Sequence, residues 1–233
     1  MRDNFQNDLD WLVQRTEESL TLVRGAVEKT VAAILERDAE LANQIIAGDD
    51  QIDAIYQTIH SEMLGVIARQ APVASDLRLL TGLGYMAIHI ERMGDGCVNI
   101  AKLIKLAGPH VYPTDLTARI AAMGKDLITM IDQAGRAFRE RNVDLALDLV
   151  RLDDAVDDGN RRVFQIAVGP ELPPEIRQWA GYMLLIGRAM ERIGDHAVDL
   201  GEQIAFIVTG EFREFTDASH EDSLEWTPDD GSR

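Results

Sequence analysis

The chain is predicted to be all-α, two pseudo-symmetric three-helix bundles built from six long helices. Three observations predict it. Prolines punctuate the sequence rarely, the stretches between them carry apolar residues every three or four positions, and one pentapeptide recurs after 100 residues. The first repeat covers residues 1–108, the second 109–210, and an acidic tail 211–233.

The first helix spans about Phe5 to Arg37 and the second about Ala39 to Arg69, with Gly48 a weak point. Pro72 ends the second block, and a third helix runs to about Ala107. Its seam is Leu80, Leu83, Ala87, Ile90, Gly94, Cys97, Ala101 and Ile104. After Pro109 and Pro113 a fourth helix covers about Thr114 to Arg141, with Thr114 or Asp115 as its cap. A fifth covers Val143 to Val168. Beyond Pro170, Pro173 and Pro174 the sixth repeats the seam at Ala180, Met183, Gly187, Met190, Gly194, Ala197, Gly201, Ile204 and Val208. Its glycines let a neighbouring helix approach closely. From Gly210 onward acids dominate without helical periodicity, so the tail is expected to be mobile.

The repeat is visible in Glu91-Arg92-Met93-Gly94-Asp95 and Glu191-Arg192-Ile193-Gly194-Asp195; Glu91–Ile104 and Glu191–Ile204 share 6 of 14 positions. A second register, offset by 104, pairs Glu36-Arg37 with Glu140-Arg141, Leu41-Ala42 with Leu145-Ala146, and Asp49, Asp50 and Asp53 with Asp153, Asp154 and Asp157. The change of offset predicts a shorter helix connection in the second copy.

Each copy thereby holds two acid pairs at helical spacing: Asp49 with Asp53 and Glu91 with Asp95, then Asp153 with Asp157 and Glu191 with Asp195. Residues four apart share a helix face, and like charges there cost about 0.2–0.5 kcal/mol per pair. Four such pairs at matching places call for a compensating cation. An all-oxygen donor set suits iron, manganese, magnesium or calcium. Asp53, Glu91, Asp157 and Glu191 each follow a seam residue, so the sites are expected to face a solvent-accessible groove. Asn99 and Asp199, one turn further on, are possible additional ligands.

Other readings bound this one. Arg92 and Arg192 stand where they can pair with Asp95 and Asp195 on a solvated surface. His196 matches Gly96 in the other copy, so a ligand role would be confined to one copy and it reads as an exposed or capping histidine; His89 matches Ala189 and reads as structural. Cys97, the single cysteine, falls on the seam and reads as buried; no disulfide or thiolate cluster is possible within the chain. No glycine-rich loop joins a strand to a helix, so Gly94 and Gly194 do not cradle phosphate.

The net charge is -17, which disfavours direct nucleic-acid binding because affinity for a phosphate backbone needs clustered cations. The first ten residues lack a secretory pattern and no uncharged run approaches a membrane span, so a cytoplasmic protein is expected.

These motifs, with Asn99-Ile100-Ala101, Asp199-Leu200 and Val73-Ala74-Ser75-Asp76-Leu77-Arg78, resemble the doubled signature of the PhoU family across about residues 5 to 210. The resemblance implies multinuclear iron or zinc clusters on the eight acids named above. It implies a homodimer and two partners, the ATP-binding subunit of a phosphate transporter and the sensor histidine kinase of the phosphate two-component system, with peripheral membrane association through them. The function expected is negative regulation of phosphate uptake and signalling, without enzymatic activity. Gly96 and Asp199-Leu200 depart from the family pattern, which bears on whether the two metal sites are equal. Two alternatives stand beside it: a di-metal carboxylate enzyme, for which the usual Glu-x-x-His pairs are missing, and a metal-free helical scaffold.

Overall fold

A computed structural model describes residues 2–108, 114–170, 172 and 174–215. Among these the chain is all helix. The order is α1 (Arg2–Glu36), α2 (Ala39–Gln70), α3 (Ala74–Ala107), α4 (Thr114–Glu140), α5 (Val143–Leu147), α6 (Leu149–Ala167), a 3₁₀ turn at Pro174–Ile176 and α7 (Arg177–Thr209). No described helix is long and apolar enough to cross a membrane.

The helices form because their buried positions recur at helical spacing. In α1 the buried face is Leu9, Leu12, Leu20, Val23, Val27 and Ile34, and in α4 it is Leu116, Ile120, Met123, Leu127, Met130 and Ile131. Thr16 and Thr30 lie on the same buried face of α1; their hydroxyls donate to the carbonyls of Leu12 (3.0 Å) and Ala26 (2.8 Å), so neither is stranded. Cys97 is buried as expected, and desolvation pushes its thiol up to about 12.

The repeat extends to its turns. Arg37 (φ 58°) ends α1 and Arg141 (φ 51°) ends α4, both left-handed, and the next residue caps the following helix. Asp38 accepts from the backbone N–H groups of Glu40 and Leu41 at 2.8 and 2.9 Å; Asn142 accepts from that of Leu145 at 3.2 Å. Gly48 leaves α2 unbroken.

The fifth predicted helix is not one helix. It breaks at Asp148 into α5 and α6. Gln133 of α4 donates its side-chain N–H to the carbonyl of Leu145 (3.0 Å) and to the Asp148 carboxylate (3.1 Å), inserting a foreign donor where the helical ladder would continue. The shorter connection expected in the second copy is also corrected. The link between α6 and α7 runs through 168–176, against 71–73 between α2 and α3. What is shorter is α6 itself, which stops at Ala167.

Helices α1 to α3 pack together, as do α4 to α7, and the two sets meet along α3 with α7 and α1 with α4. Both crossings are antiparallel. On α3, Gly82 lies against Ile207 and Gly96 against Ile193, and Arg24 of α1 pairs with Asp132 of α4 at 2.7 Å. Buried side chains form one cluster across both repeats. The tail expected to be mobile lies mostly outside the described residues; its start is held where the Phe215 N–H donates to Glu202 (2.7 Å).

Candidate metal-binding faces

In the first repeat α2 carries Asp49 and Asp53, and α3 carries Glu91 and Asp95, beside the buried Ile52 and Ile90. Asp49 does not face outward. Its Oδ1 is buried without a hydrogen-bond partner, against Gly94, where a Cβ would come within 2.6 Å of it. Gly94 is therefore more than a seam residue: its missing side chain makes room for a carboxylate. Burial first, then Asp53, Asp95 and Glu91, push Asp49 up to about 6. Asp53 and Glu91 are raised by the same two causes. Arg92 stands 3.5 Å from Glu91 and 3.5 Å from Asp95 but is itself exposed, so it compensates little.

The second repeat builds the same face on α6 and α7. Asp153 Oδ1 is buried and unpartnered against Gly194, where a Cβ would collide with it, and Glu191 Oε2 is unpartnered as well. Burial, then Asp157, Asp195 and Glu191, push Asp153 up to about 7. Asp157, Glu191 and Asp195 are all raised, desolvation being the first cause. The cation here is not Arg192: Arg188 pairs with Glu191, and Arg161 lies 3.9 Å from Asp157.

Each predicted quartet thus comes together electrostatically, but not as a closed ligand cage. Among the described residues, the trio whose ligand atoms lie within 4.8 Å of one another is His89, His196 and Asp199. The donor chemistry of the quartets still fits a hard cation. Four carboxylates share one face, and a buried ionised oxygen without a partner is costly unless a charge compensates it. Carboxylate oxygens also serve zinc.

The two additional ligands part company. Asn99 is exposed and lines a cleft of about 460 Å³ between α3 and α7, with Asp95, Arg92 and Arg192. Asp199 turns to the histidines: its Oδ2 is 3.1 Å from Nδ1 of both His89 and His196. Burial would raise its carboxyl, but the bonds from His196 and His89 outweigh that and hold it far below the usual carboxylate range. His196 is therefore half-buried and engaged across the repeats, which its place opposite Gly96 in the repeat alignment did not reveal. No spacing within either helix signals this meeting.

Fold and site together define a class: a doubled three-helix protein whose repeats each present a carboxylate-rich face beside the helix pair joining them. The sequence model of the PhoU domain matches residues 16–104 and again 120–204. The phosphate-specific transport system accessory protein PhoU homolog 1 of Mycobacterium tuberculosis is 32% identical over 211 residues, 90% of this chain and 95% of that protein. The corresponding PhoU homolog of Clostridium acetobutylicum is 30% identical over 212 residues, 90% and 96% of the two chains. The crystal structure of PhoU from Pseudomonas aeruginosa superposes with a TM-score of 0.81 at 28% identity, covering 89% of this chain and all of that one. The phosphate transport system regulatory protein PhoU from Streptococcus pneumoniae, at 24% identity and a TM-score of 0.82 over 90% and 99% of the two chains, supports the fold. The chain belongs to the PhoU family.

Proposed function

We propose that the protein is a regulatory adaptor of phosphate homeostasis that restrains phosphate uptake and phosphate-responsive two-component signalling. Membership of a family whose relatives are named as accessory proteins of phosphate-specific transport supports the first part. The observation that carries the metal reading is the pair of buried, unpartnered oxygens on Asp49 and Asp153, at equivalent places in the two repeats.

In this reading Asp49, Asp53, Glu91 and Asp95 hold one metal site and Asp153, Asp157, Glu191 and Asp195 the other, with iron or zinc the metals implied by the family. A bound cation supplies charge neutralisation, fixing an acidic surface that otherwise repels itself. The helix faces then dock the ATP-binding subunit of the transporter and the sensor histidine kinase, which brings a dimeric cytoplasmic protein to the membrane through its partners.

Deleting the gene should raise phosphate uptake and phosphate-responsive transcription in phosphate-rich medium; unchanged values of both would sink the adaptor reading. For the metal, protein purified without chelator is compared by elemental analysis with a Glu91→Ala, Asp95→Ala, Glu191→Ala, Asp195→Ala variant. Metal content should fall in the variant, and equal content would favour a scaffold without these sites.

A further inference from the structure

We propose that His89, His196 and Asp199 form a mixed nitrogen and oxygen metal site that ties α3 to α7, and so the first repeat to the second, with zinc or a similar borderline divalent metal as its ligand.

The three donor atoms make a nearly equilateral triangle. Nδ1 of His89 and Nδ1 of His196 are 3.4 Å apart, and each lies 3.1 Å from Oδ2 of Asp199. Zinc bonds of about 2.0–2.1 Å at tetrahedral angles put neighbouring ligand atoms roughly 3.3–3.4 Å apart, so the triangle already has close to the edge lengths that a single ion needs. Two imidazoles and one carboxylate are the donor types that such metals take, leaving further positions for water. Side-chain exposure of 21% for each histidine and 35% for Asp199 leaves the trio partly shielded yet reachable from solvent.

The elements explain the convergence. His196 and Asp199 are three apart on α7 and share a face, while His89 reaches them across the antiparallel helix pair. The partly buried Glu202 carboxylate, one turn beyond Asp199, feels both His89 and Asp199 and adds negative potential. The repeat counterparts are Ala189, Gly96 and Asn99, so the site exists once per chain. It uses none of the quartet acids and does not depend on their holding metal.

The alternative is a hydrogen-bonded clamp in which Asp199 accepts from both imidazoles. Full-length, chelator-stripped protein is titrated with zinc by calorimetry and with cobalt(II) by visible absorption. The unsubstituted protein and the variant lacking Glu91, Asp95, Glu191 and Asp195 should both show a cobalt spectrum of low-coordinate, nitrogen-containing type. His89→Ala with His196→Ala should lose that spectrum and weaken zinc binding at this site at least tenfold, the size of effect that even outer supporting partners carry. Asp199→Asn keeps the side-chain volume and an acceptor, and serves if the histidine variant does not fold; it too should weaken zinc at least tenfold. An unchanged spectrum and zinc affinity in a folded His89→Ala, His196→Ala protein, or in Asp199→Asn, would overturn the site. Zinc lost only from the quartet variant would also overturn it while leaving the quartet reading intact.

Discussion

Asp49 and Asp153 sit at equivalent places, each against a glycine of the helix that joins the repeats, yet the second is held further from its ordinary ionisation. Asp49 is pushed to about 6 and Asp153 to about 7. In the first repeat the nearby cation, Arg92, reaches Glu91 and Asp95 from an exposed position; in the second, Arg188 and Arg161 engage Glu191 and Asp157, and Glu191 contributes a second unpartnered oxygen. One motif thus gives two differently solvated sites. The supporting helices differ too: α2 runs unbroken past Asp49, while the helix before Asp153 is interrupted at Asp148.

The largest test of this contrast is metal affinity. Asp49→Asn and Asp153→Asn each remove one charge from a quartet, and each should weaken binding at its own site at least tenfold, since ligand charge count tunes affinity over orders of magnitude. Calorimetric titration with zinc and with manganese reads the loss. The second site should lose more, because burial raises Asp153 further than Asp49 and a second unpartnered oxygen, on Glu191, shares its face; equal losses would erase the asymmetry.

Next in size is Gly201→Ala, at the place that Ala101 fills in the first repeat. A Cβ there would stand 2.8 Å from the Ala146 carbonyl oxygen and 2.9 Å from Leu149, because the α5–α6 segment lies close against α7 at this point. The variant should lose about 1–3 kcal/mol of stability in urea unfolding. No loss would mean that the close approach is not a fixed feature of the second repeat.

A pH series sharpens the comparison further. In metal-free protein both aspartates bind protons more tightly folded than unfolded. Stability therefore falls as pH rises from the ordinary value of 3.8, through about 6 for Asp49 and about 7 for Asp153, and levels off above. Asp153→Asn should remove the part of this fall closest to neutrality and Asp49→Asn only the more acidic part. Thermal midpoints between pH 4 and 8 in chelator check it (roughly the interval between those ionisations).

The smallest expected effect is Gly48→Ala, which meets nothing within 4 Å and whose counterpart is Leu152. It should stabilise the first repeat by about 0.5–1 kcal/mol, because glycine is the poorer helix former. A loss instead would show that α2 uses Gly48 for something beyond helix continuity.

Much of this protein was legible before any coordinates. The spans of α1 to α4 and α7 follow from proline positions and three-four spacing, both local properties. The pairing of Asp49 with Asp53 and of Glu91 with Asp95 on shared faces follows from helix geometry alone. The break at Asp148 was not legible, because the donor that interrupts the ladder comes from Gln133 on another helix. The repeat alignment gave no sign that the two histidines meet, since their partners stand at positions that do not correspond between copies.

The sequence by itself determined the helices, their doubling and the acids each face carries, because a period of 3.6 residues fixes which side chains of one helix point together. Only the tertiary structure decided that Asp49 and Asp153 turn inward and that His89 meets His196 and Asp199. Those outcomes depend on how closely and at what angle two helices cross. That is set by volumes on both partners, by Gly94 and Gly194 opposite the carboxylates and Gly82 and Gly96 along α3, and no spacing within one strip of sequence encodes it.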